Sequence, residues 1–389
     1  MTDVPWRASW PSATFGALFG ATMLNLLAVG ALLPTLPLYV RGPLDEGNLM
    51  VGIVIGAYAI TGIAFRPLAG ALADSRGRRW VVMVGSLASA VAGAFLFLPL
   101  GLVAVLGSRL LLGAGEGAVF TAGSAWVADI SPERNRARLI GIYGLAIWAG
   151  LSIGPLVGQA LRAAGGFELV WAFVFLAPVL STVIASRLTD SPVAPRPAGE
   201  DRSLISREAL GPGVSMALVS AGFAAMASFV VLHMRDEGVA GGAWAFTAFA
   251  VSLVLSRLIA GGLPDRLGPR RVALVAALFE AIGLTVIGLA NTLPVALAGA
   301  IVMGWAFSVL YPSLSLVVLR RVPESRRGSA FGTFTATFDL GVALGAPLVG
   351  VAVTLGGYEV GFLFAAALAI VVAATQAVIL VSRRRRQAL

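Results

Sequence analysis

Long runs of apolar residues, separated by short polar or charged segments, fill almost the whole chain. A bilayer core about 30 Å thick needs about 20 apolar helical residues, and twelve runs have that length. They lie at approximately 13–40, 49–72, 80–99, 101–127, 138–161, 168–187, 213–233, 241–262, 272–290, 293–318, 329–354 and 359–381. The pattern predicts an all-α membrane protein with twelve transmembrane helices.

The arginines are distributed unevenly between the two sets of loops. Of the 28 basic residues, all arginine, three lie within spans, and Arg41, Arg162 and Arg235 lie in loops on one side. The other 22 lie on the opposite side, together with both termini. Because arginine accumulates on the cytoplasmic side, we expect a multi-pass protein of the cell inner membrane with both termini cytoplasmic.

The composition of the chain excludes several classes of protein. The chain is 58% apolar and 12% charged, whereas soluble domains carry about 25% charged residues. The net charge of +9 follows the topology, so we expect the lipid bilayer as a partner and no nucleic acid. There is no cysteine and one histidine, His233, expected at the exposed outer end of its span. No nucleotide-binding loop or nucleophile constellation is present, so we expect no enzyme activity, no cofactor and no metal.

An internal repeat relates the first half of the chain to the second. Adding 191 to first-half positions repeatedly reaches the same residue type, at loops and helix ends as well as in apolar runs. The pairs include Arg66 and Arg257, Gly70 and Gly261, Asp74 and Asp265, Gly113 and Gly304, and Glu168 and Glu359. The repeat predicts two pseudo-symmetric six-helix bundles, over 1–189 and 212–389. A polar cytoplasmic linker is predicted over 190–211.

The loop between the second and third spans reads GALADSRGRR over residues 70–79. It resembles the signature loop of the major facilitator superfamily, a class of two-half secondary transporters. The resemblance implies a cytoplasmic gate formed by Gly70, Asp74, Gly77, Arg78 and Arg79. The glycines allow a tight turn, and the charges can hold one access state. Alternatively, Asp74 and Arg78 only fix the loop.

The second half repeats this loop as GGLPDRLGPRR over residues 261–271. Asp265 and Arg270 occupy the positions equivalent to Asp74 and Arg79, and they join the predicted gate. Pro269 stands where the first copy has Arg78, so the second copy departs from the pattern.

The fifth span carries a glycine pattern that resembles the antiporter signature of drug–proton exporters in this superfamily. Gly150, Gly154 and Gly158 recur every four residues, next to Pro155, so that a partner helix can pack closely on one face. Gln159 departs from the pattern, and ordinary small-residue packing is the alternative interpretation.

Few charged residues lie inside the spans. At the start of the fourth span, Arg109 resembles the arginine that the family associates with proton transfer. Glu116 and Asp339 fall near mid-membrane, where carboxylates usually have a function. We therefore expect Arg109, Glu116 and Asp339 to couple transport to protons, and helix packing is the alternative for the two acids.

Three other charged residues of the spans receive structural interpretations. Arg66 and Arg257, related by the repeat, are expected to extend to the membrane surface or to brace the gate. Family resemblance places the span of Glu280 in the outer scaffold, so Glu280 is expected to be a structural partner and not a proton carrier.

Family resemblance places spans one, four, seven and ten around the substrate. The candidate cavity residues there are Asn25, Phe120, Phe223, Met226, Trp305, Phe307 and Tyr311. This largely aromatic set suits an amphipathic or lipophilic molecule, although aromatic residues also fill helix interfaces.

Together these features predict a monomeric secondary transporter that exports a small molecule by alternating access, with protons as the coupling ion. A proton symporter or facilitator for a sugar or other metabolite is the second interpretation. A membrane receptor or lipid-translocating protein is the third.

Overall fold

A computed structural model describes residues 13–190, 206–323 and 327–387. Within these residues the chain is helical, without strands. The helices are α1 (Ala13–Arg41), α2 (Asn48–Arg76), α3 (Arg78–Phe95), α4 (Leu102–Ile130), α5 (Arg136–Ser186), α6 (Arg207–Asp236), α7 (Ala243–Ala260), α8 (Leu263–Leu267), α9 (Pro269–Gly288), α10 (Leu293–Leu319) and α11 (Arg327–Gln387). Most of the linker predicted over 190–211 lies outside the described residues, and α6 begins within it.

The two longest helices, α5 and α11, are each divided by a glycine pair. Gly166 and Gly357 have φ angles of 70° and 80°, a region that glycine enters without the steric penalty of a Cβ atom. Their predecessors Gly165 and Gly356 are also non-helical, with φ of −154° and −148°. Each pair therefore reverses the chain, at positions 191 residues apart.

The helix count is compatible with twelve spans. Nine helices of the described residues are long and apolar enough to cross a membrane, and α5 and α11 are among them. Dividing α5 and α11 at their glycine pairs and adding α3 gives twelve.

The repeat also appears in the contacts between helices. The Thr61 hydroxyl donates to the Leu110 carbonyl at 2.7 Å, joining α2 to α4. The Ser252 hydroxyl donates to the Ile301 carbonyl, also at 2.7 Å, joining α7 to α10. Both partners shift by 191, so the two bundles share their internal geometry.

The two halves meet through α2 and α11. A methyl group added at Gly56 would lie 2.6 Å from the Ala343 carbonyl oxygen, and one at Gly350 would lie 2.7 Å from the Asn48 carbonyl oxygen. Only glycine permits such a close approach of backbones. This contact closes the end of the molecule that carries loops 42–47 and 237–242, which we call the arginine-poor end; the opposite end is the arginine-rich end.

Candidate functional site

A cavity of about 280 Å³ lies between the two halves. Helices α1, α2, α4 and α5 line it from the first half, and α6, α7, α10 and α11 from the second. Its lining residues Val29, Ile55 and Val342 are buried, whereas Phe331, near the start of α11, is 42% exposed. The cavity thus extends toward the arginine-rich end and is closed at the other.

A cluster of three charges lies in this cavity. The Arg66 guanidinium of α2 is 3.7 Å from a Glu116 carboxylate oxygen and 3.4 Å from an Asp339 carboxylate oxygen. The two acid side chains are only 4% and 7% exposed. Glu116 belongs to the first half and Asp339 to the second, so one arginine joins both halves at the centre of the molecule.

This position corrects the expectation for Arg66. Its side chain does not extend to the membrane surface, because two buried carboxylates hold it in the cavity, and it is 25% exposed. Charges in the membrane interior usually pair with one another in this way.

Arg109 also lines the cavity, but it has different partners. Its Nε donates to the Val54 carbonyl at 3.1 Å, and its Nη2 donates to the Ile55 carbonyl at 3.3 Å. The guanidinium carbon lies 4.8 Å from the centre of the Tyr58 ring. Arg109 is 1% exposed and bonds α4 to the backbone of α2. Glu116 pairs with Arg66 instead.

Arg257 occupies the repeat-related position on α7. It lines the cavity and donates from Nη2 to the Ser308 carbonyl at 3.3 Å. Its guanidinium carbon lies 5.7 Å from the centre of the Trp148 ring on α5, across the interface between the halves. Like Arg66, it therefore faces inward, and the expectation that it extends to the surface is corrected.

Aromatic rings fill the second-half side of the cavity. Phe223 stacks on Phe307 with ring centres 5.9 Å apart, and both contact Phe338 at about 6 Å. The Tyr311 ring lies 6.4 Å from that of Phe338. Of the predicted substrate residues, Phe120, Phe223, Phe307 and Tyr311 line the cavity.

The other three predicted cavity residues lie elsewhere. Asn25 is fully buried within the first half, where its amide donates to the Ser181 hydroxyl at 2.7 Å. Met226 is buried in the core, 1% exposed. Trp305 is 40% exposed and lines an outer depression against α9. Each is on a cavity helix but on a face turned away from the cavity.

The glycines of α5 pack on α1. Methyl groups added at Gly150 and Gly154 would lie 2.5 Å from the Leu26 Cβ and 2.6 Å from the Gly30 Cα, and one at Gly158 would collide with Ala31. The predicted partner helix is thus α1, in the same half. In the second half, Gly341 and Gly345 approach Ala217 and Ala221 of α6 at the equivalent positions.

The predicted gate loop forms a charge cluster at the arginine-rich end. Arg78 pairs with Asp74 and donates from Nε to Asp129 at 3.1 Å, which joins the ends of α2, α3 and α4. The backbone N–H of Arg79 donates to the Asp190 carboxylate at 3.1 Å. Gly77 has φ of 98°. A methyl group added at Gly70 would make an ordinary contact with the Thr121 side chain at 3.8 Å, so the packing does not require glycine there.

The second copy of the loop is built differently. Asp265 pairs at 3.5 Å with Arg320, whose repeat mate is Asp129, and both side chains are more than half exposed. Arg270 is buried and donates to the Gln376 side chain at 2.8 Å. The second copy has Pro269 at the position equivalent to Arg78 and Arg320 at the position equivalent to Asp129. One ion pair, between Arg320 and Asp265, is therefore kept.

Two further charged or titratable residues are buried outside the cavity. His233 is 3% exposed, and its Nε2 lies 3.0 Å from the Ile287 carbonyl. The rings of Tyr358 and Phe362 cover it, so the expectation of an exposed histidine is wrong. Glu280 is fully buried in α9, and no side chain or backbone group of the described residues hydrogen-bonds to its carboxyl oxygens. The structural role expected of Glu280 therefore stays a prediction.

The described residues contain no group of three histidine or acidic side chains positioned as metal ligands.

Two aromatic residues that line the cavity, Trp148 and Phe338, are not among the residues predicted from the sequence. The repeat register contains the signal for Trp148, because it is the first-half equivalent of Asp339.

Comparisons with known proteins agree with this architecture. A sequence model described as Major Facilitator Superfamily matches residues 18–241 and 213–388. A Salmonella typhimurium protein described as an uncharacterized MFS-type transporter is 31% identical over 371 residues, covering 93% of this chain and 95% of the relative. A Pseudomonas aeruginosa protein described likewise is 31% identical over 356 residues, covering 88% and 87%.

Solved structures share the fold at low sequence identity. The nucleoside transporter NupG superposes with a TM-score of 0.78 at 18% identity, covering 95% of this chain and 99% of the other. A bacterial homologue of the human lysosomal transporter Spinster, described as inward-facing and occupied, gives 0.78 at 16% identity, covering 98% of both chains.

Proposed function

Because the chain belongs to the major facilitator superfamily and is a secondary transporter, we propose that it exports an amphipathic or lipophilic small molecule in exchange for protons, by alternating access. The third interpretation, a receptor or lipid-translocating protein, has no support from these relatives.

The cluster of Arg66, Glu116 and Asp339 carries this proposal. With both carboxylates ionised, it holds two negative charges and one positive charge at a site where the acids are almost inaccessible. Uncompensated charge in such a site is costly. One proton makes the cluster neutral, so the cluster is suited to take up and release a single proton.

Protonation would also change the attraction between the halves. Arg66 and Asp339 belong to different halves and lie 3.4 Å apart. At an effective dielectric constant of about 20, such a pair is worth roughly 4 kcal/mol, equivalent to a factor of about a thousand in an equilibrium. A proton on Asp339 therefore has enough energetic effect to shift the balance between access states.

The glycine face of α5 supports exchange of substrate for protons, as opposed to movement of both in the same direction. Its match to the drug–proton exporter pattern coincides with backbone contact between α5 and α1 at Gly150, Gly154 and Gly158. We propose that α1 and α5 move as one unit, with Pro155 beside this contact. We also propose that the Asp74–Arg78 cluster, which joins α2, α3 and α4, acts as the cytoplasmic gate by holding one access state and releasing in the other.

Proton symport is the second candidate, and one observation favours it. Arg66 lines the cavity and is partly exposed, so protonation of its acid partners would free the guanidinium for a substrate. Proton and substrate would then bind together instead of in turn.

Proteoliposomes loaded with a pH-sensitive dye test the coupling. The solutes come from a thermal-shift screen of dyes, drugs, sugars and amino acids. We expect a solute gradient to move protons, and Glu116→Gln and Asp339→Asn to reduce proton movement at least tenfold. Glu280→Gln, a buried carboxyl outside the cavity, is the matched control and should retain coupling.

The direction of proton movement separates the candidates. Movement against the solute supports exchange, and movement with the solute supports symport. Solute flux that ignores the pH gradient and both substitutions would overturn the proposal and favour a facilitator.

We further propose that the protein is a monomer in the cell inner membrane with both termini cytoplasmic. Because the chain has no cysteine, single cysteines can report sidedness. Ala240→Cys, in the exposed loop of the arginine-poor end, should react with an impermeant maleimide in intact cells. Ser75→Cys, at the arginine-rich end, should react only after lysis. The reverse result would contradict this orientation.

A further inference from the structure

The guanidinium of Arg257 is an incompletely bonded cation in the central cavity. Of its five N–H groups, one nitrogen donates to the Ser308 carbonyl, and the Trp148 ring supplies a cation–π contact. No carboxylate of the described residues lies within ion-pair distance of it. Its remaining nitrogens are not among the buried polar atoms without a partner, so they stay accessible from the cavity.

The charge of the cavity is unbalanced. Its charged lining residues are Arg66, Arg109, Arg257, Glu116 and Asp339. With the acids ionised, these three cations and two anions leave one net positive charge. Arg66 has two acid partners, and Arg109 is covered by backbone carbonyls and the Tyr58 ring. Arg66 and its two ionised acids together carry one negative charge, so Arg109 and Arg257 are both cations without a carboxylate partner in the described part of the chain. Arg109 is 1% exposed, and its Nη1 is buried without a hydrogen-bond partner among the described residues. Arg257 is therefore the one of the two whose guanidinium a molecule in the cavity can reach.

The repeat shows why Arg257, unlike Arg66, has no carboxylate partner. The two repeat positions that correspond to the acid partners of Arg66 hold aromatic residues: Phe307 corresponds to Glu116, and Trp148 corresponds to Asp339. One repeat-related arginine thus has its counter-charges within the protein. The other has an aromatic ring beside it and open space.

We propose that Arg257, with Trp148, binds the anionic group of the transported molecule, and that the substrate class is monoanionic organic acids with an apolar body. A guanidinium presents paired donors that match a carboxylate. The stacked rings of Phe223, Phe307 and Phe338 provide the surface for the apolar body. One monoanion would balance the surplus charge.

This inference rests on the proposed function, because it takes the central cavity as the transport site. It also bears on the choice of candidates. An anion in this cavity strengthens the binding of a proton by Glu116 or Asp339, and that coupling is reciprocal. Such coupling is the property expected of symport, the second candidate, whereas the inference itself requires only that this cavity is the transport site. The direction of proton movement decides between exchange and symport.

Matched probes that differ only in charge test the inference. Naphthalene-2-carboxylate, benzoate and decanoate, each with its neutral amide, are titrated by calorimetry against the purified full-length protein. We expect at least one acid to bind at least tenfold more tightly than its amide. Arg257→Gln should reduce the affinity for that acid to that of the amide, and Arg257→Lys should retain part of the preference.

Unchanged amide binding in Arg257→Gln shows that the variant is folded. Arg235→Gln, an exposed arginine at the arginine-poor end, is the matched control and should keep the acid preference. The inference is overturned if none of the acids binds, if acid and amide bind equally, or if the preference survives Arg257→Gln. Acid binding without proton coupling would instead contradict the proposed function, and coupling to neutral solutes alone would leave that function standing without this inference.

Discussion

The two repeat-related arginines of the cavity have opposite surroundings. Arg66 contacts Glu116 and Asp339, whereas Arg257 contacts Trp148 and the backbone at Ser308. The scaffold around them is nevertheless the same, down to equal hydrogen bonds at Thr61 and Ser252. Duplication has therefore kept the packing and changed the charge, which gives one site with internal counter-ions and one without.

The largest expected difference between the two arginines is in stability. Arg66→Met leaves two buried carboxylates without their cation, a change that costs about 3–5 kcal/mol in buried ion pairs. Arg257→Met removes a cation without an acid partner and should be close to neutral. In thermal unfolding of the purified protein, we expect Arg66→Met to lower the Tm by several degrees and Arg257→Met to change it little.

The pH dependence sharpens this expectation. At low pH the two carboxylates of Arg66→Met can take up protons and become neutral, so its deficit should be larger at pH 8.5 than at pH 5.5. Equal losses for the two arginine variants at every pH would contradict the assignment of acid partners to Arg66 alone.

The second prediction concerns a substitution that gives Arg257 an acid partner like those of Arg66. Trp148→Asp places a carboxylate at the position equivalent to Asp339, where it can occupy Arg257. We expect the affinity for the acid probes to fall at least tenfold, to that of the amides. Trp148→Phe keeps an aromatic ring and should stay within about threefold of the unchanged protein. Full acid binding by Trp148→Asp would exclude this position as the anion site.

The sequence predicted the fold better than the site. The lengths of the apolar runs follow from local chemistry, and the 191-residue register follows from comparing one half of the chain with the other, so neither depends on how the helices pack. The glycine pairs at 165–166 and 356–357 even recur with the same backbone geometry. Such features do not depend on how helices rotate against one another.

Cavity membership does depend on that rotation. Trp305 and Phe307 are two residues apart on α10, about 200° around the helix, and only Phe307 faces the cavity. The run of apolar residues around them gives no sign of which face is inward. The pairing of Arg66 with Asp339 likewise depends on how α2 packs on α11, which no local pattern encodes.

A smaller contrast is expected between the two signature loops. Arg78 bonds Asp74 and Asp129, with side chains 11–29% exposed, whereas Arg320 and Asp265 are 51% and 69% exposed. Hydrogen bonds to charged groups are worth about 1.5–3 kcal/mol, and exposed ion pairs about 0–1 kcal/mol. Arg78→Gln should therefore lower the Tm more than Arg320→Gln, and the opposite order would show that the first loop is not the stronger one.

The smallest expected effect concerns the hydrogen bonds between helices that are the same in both halves. Thr61→Val and Ser252→Ala each remove one hydroxyl that bonds a carbonyl of the neighbouring helix at 2.7 Å. Such bonds between membrane helices average about 0.6 kcal/mol. Because the two bonds are equivalent under the repeat, the two variants should lose the same small amount of stability in denaturant titrations. A difference above about 1 kcal/mol would mean that the asymmetry of the arginine sites extends into the scaffold, and that charge and packing diverged together.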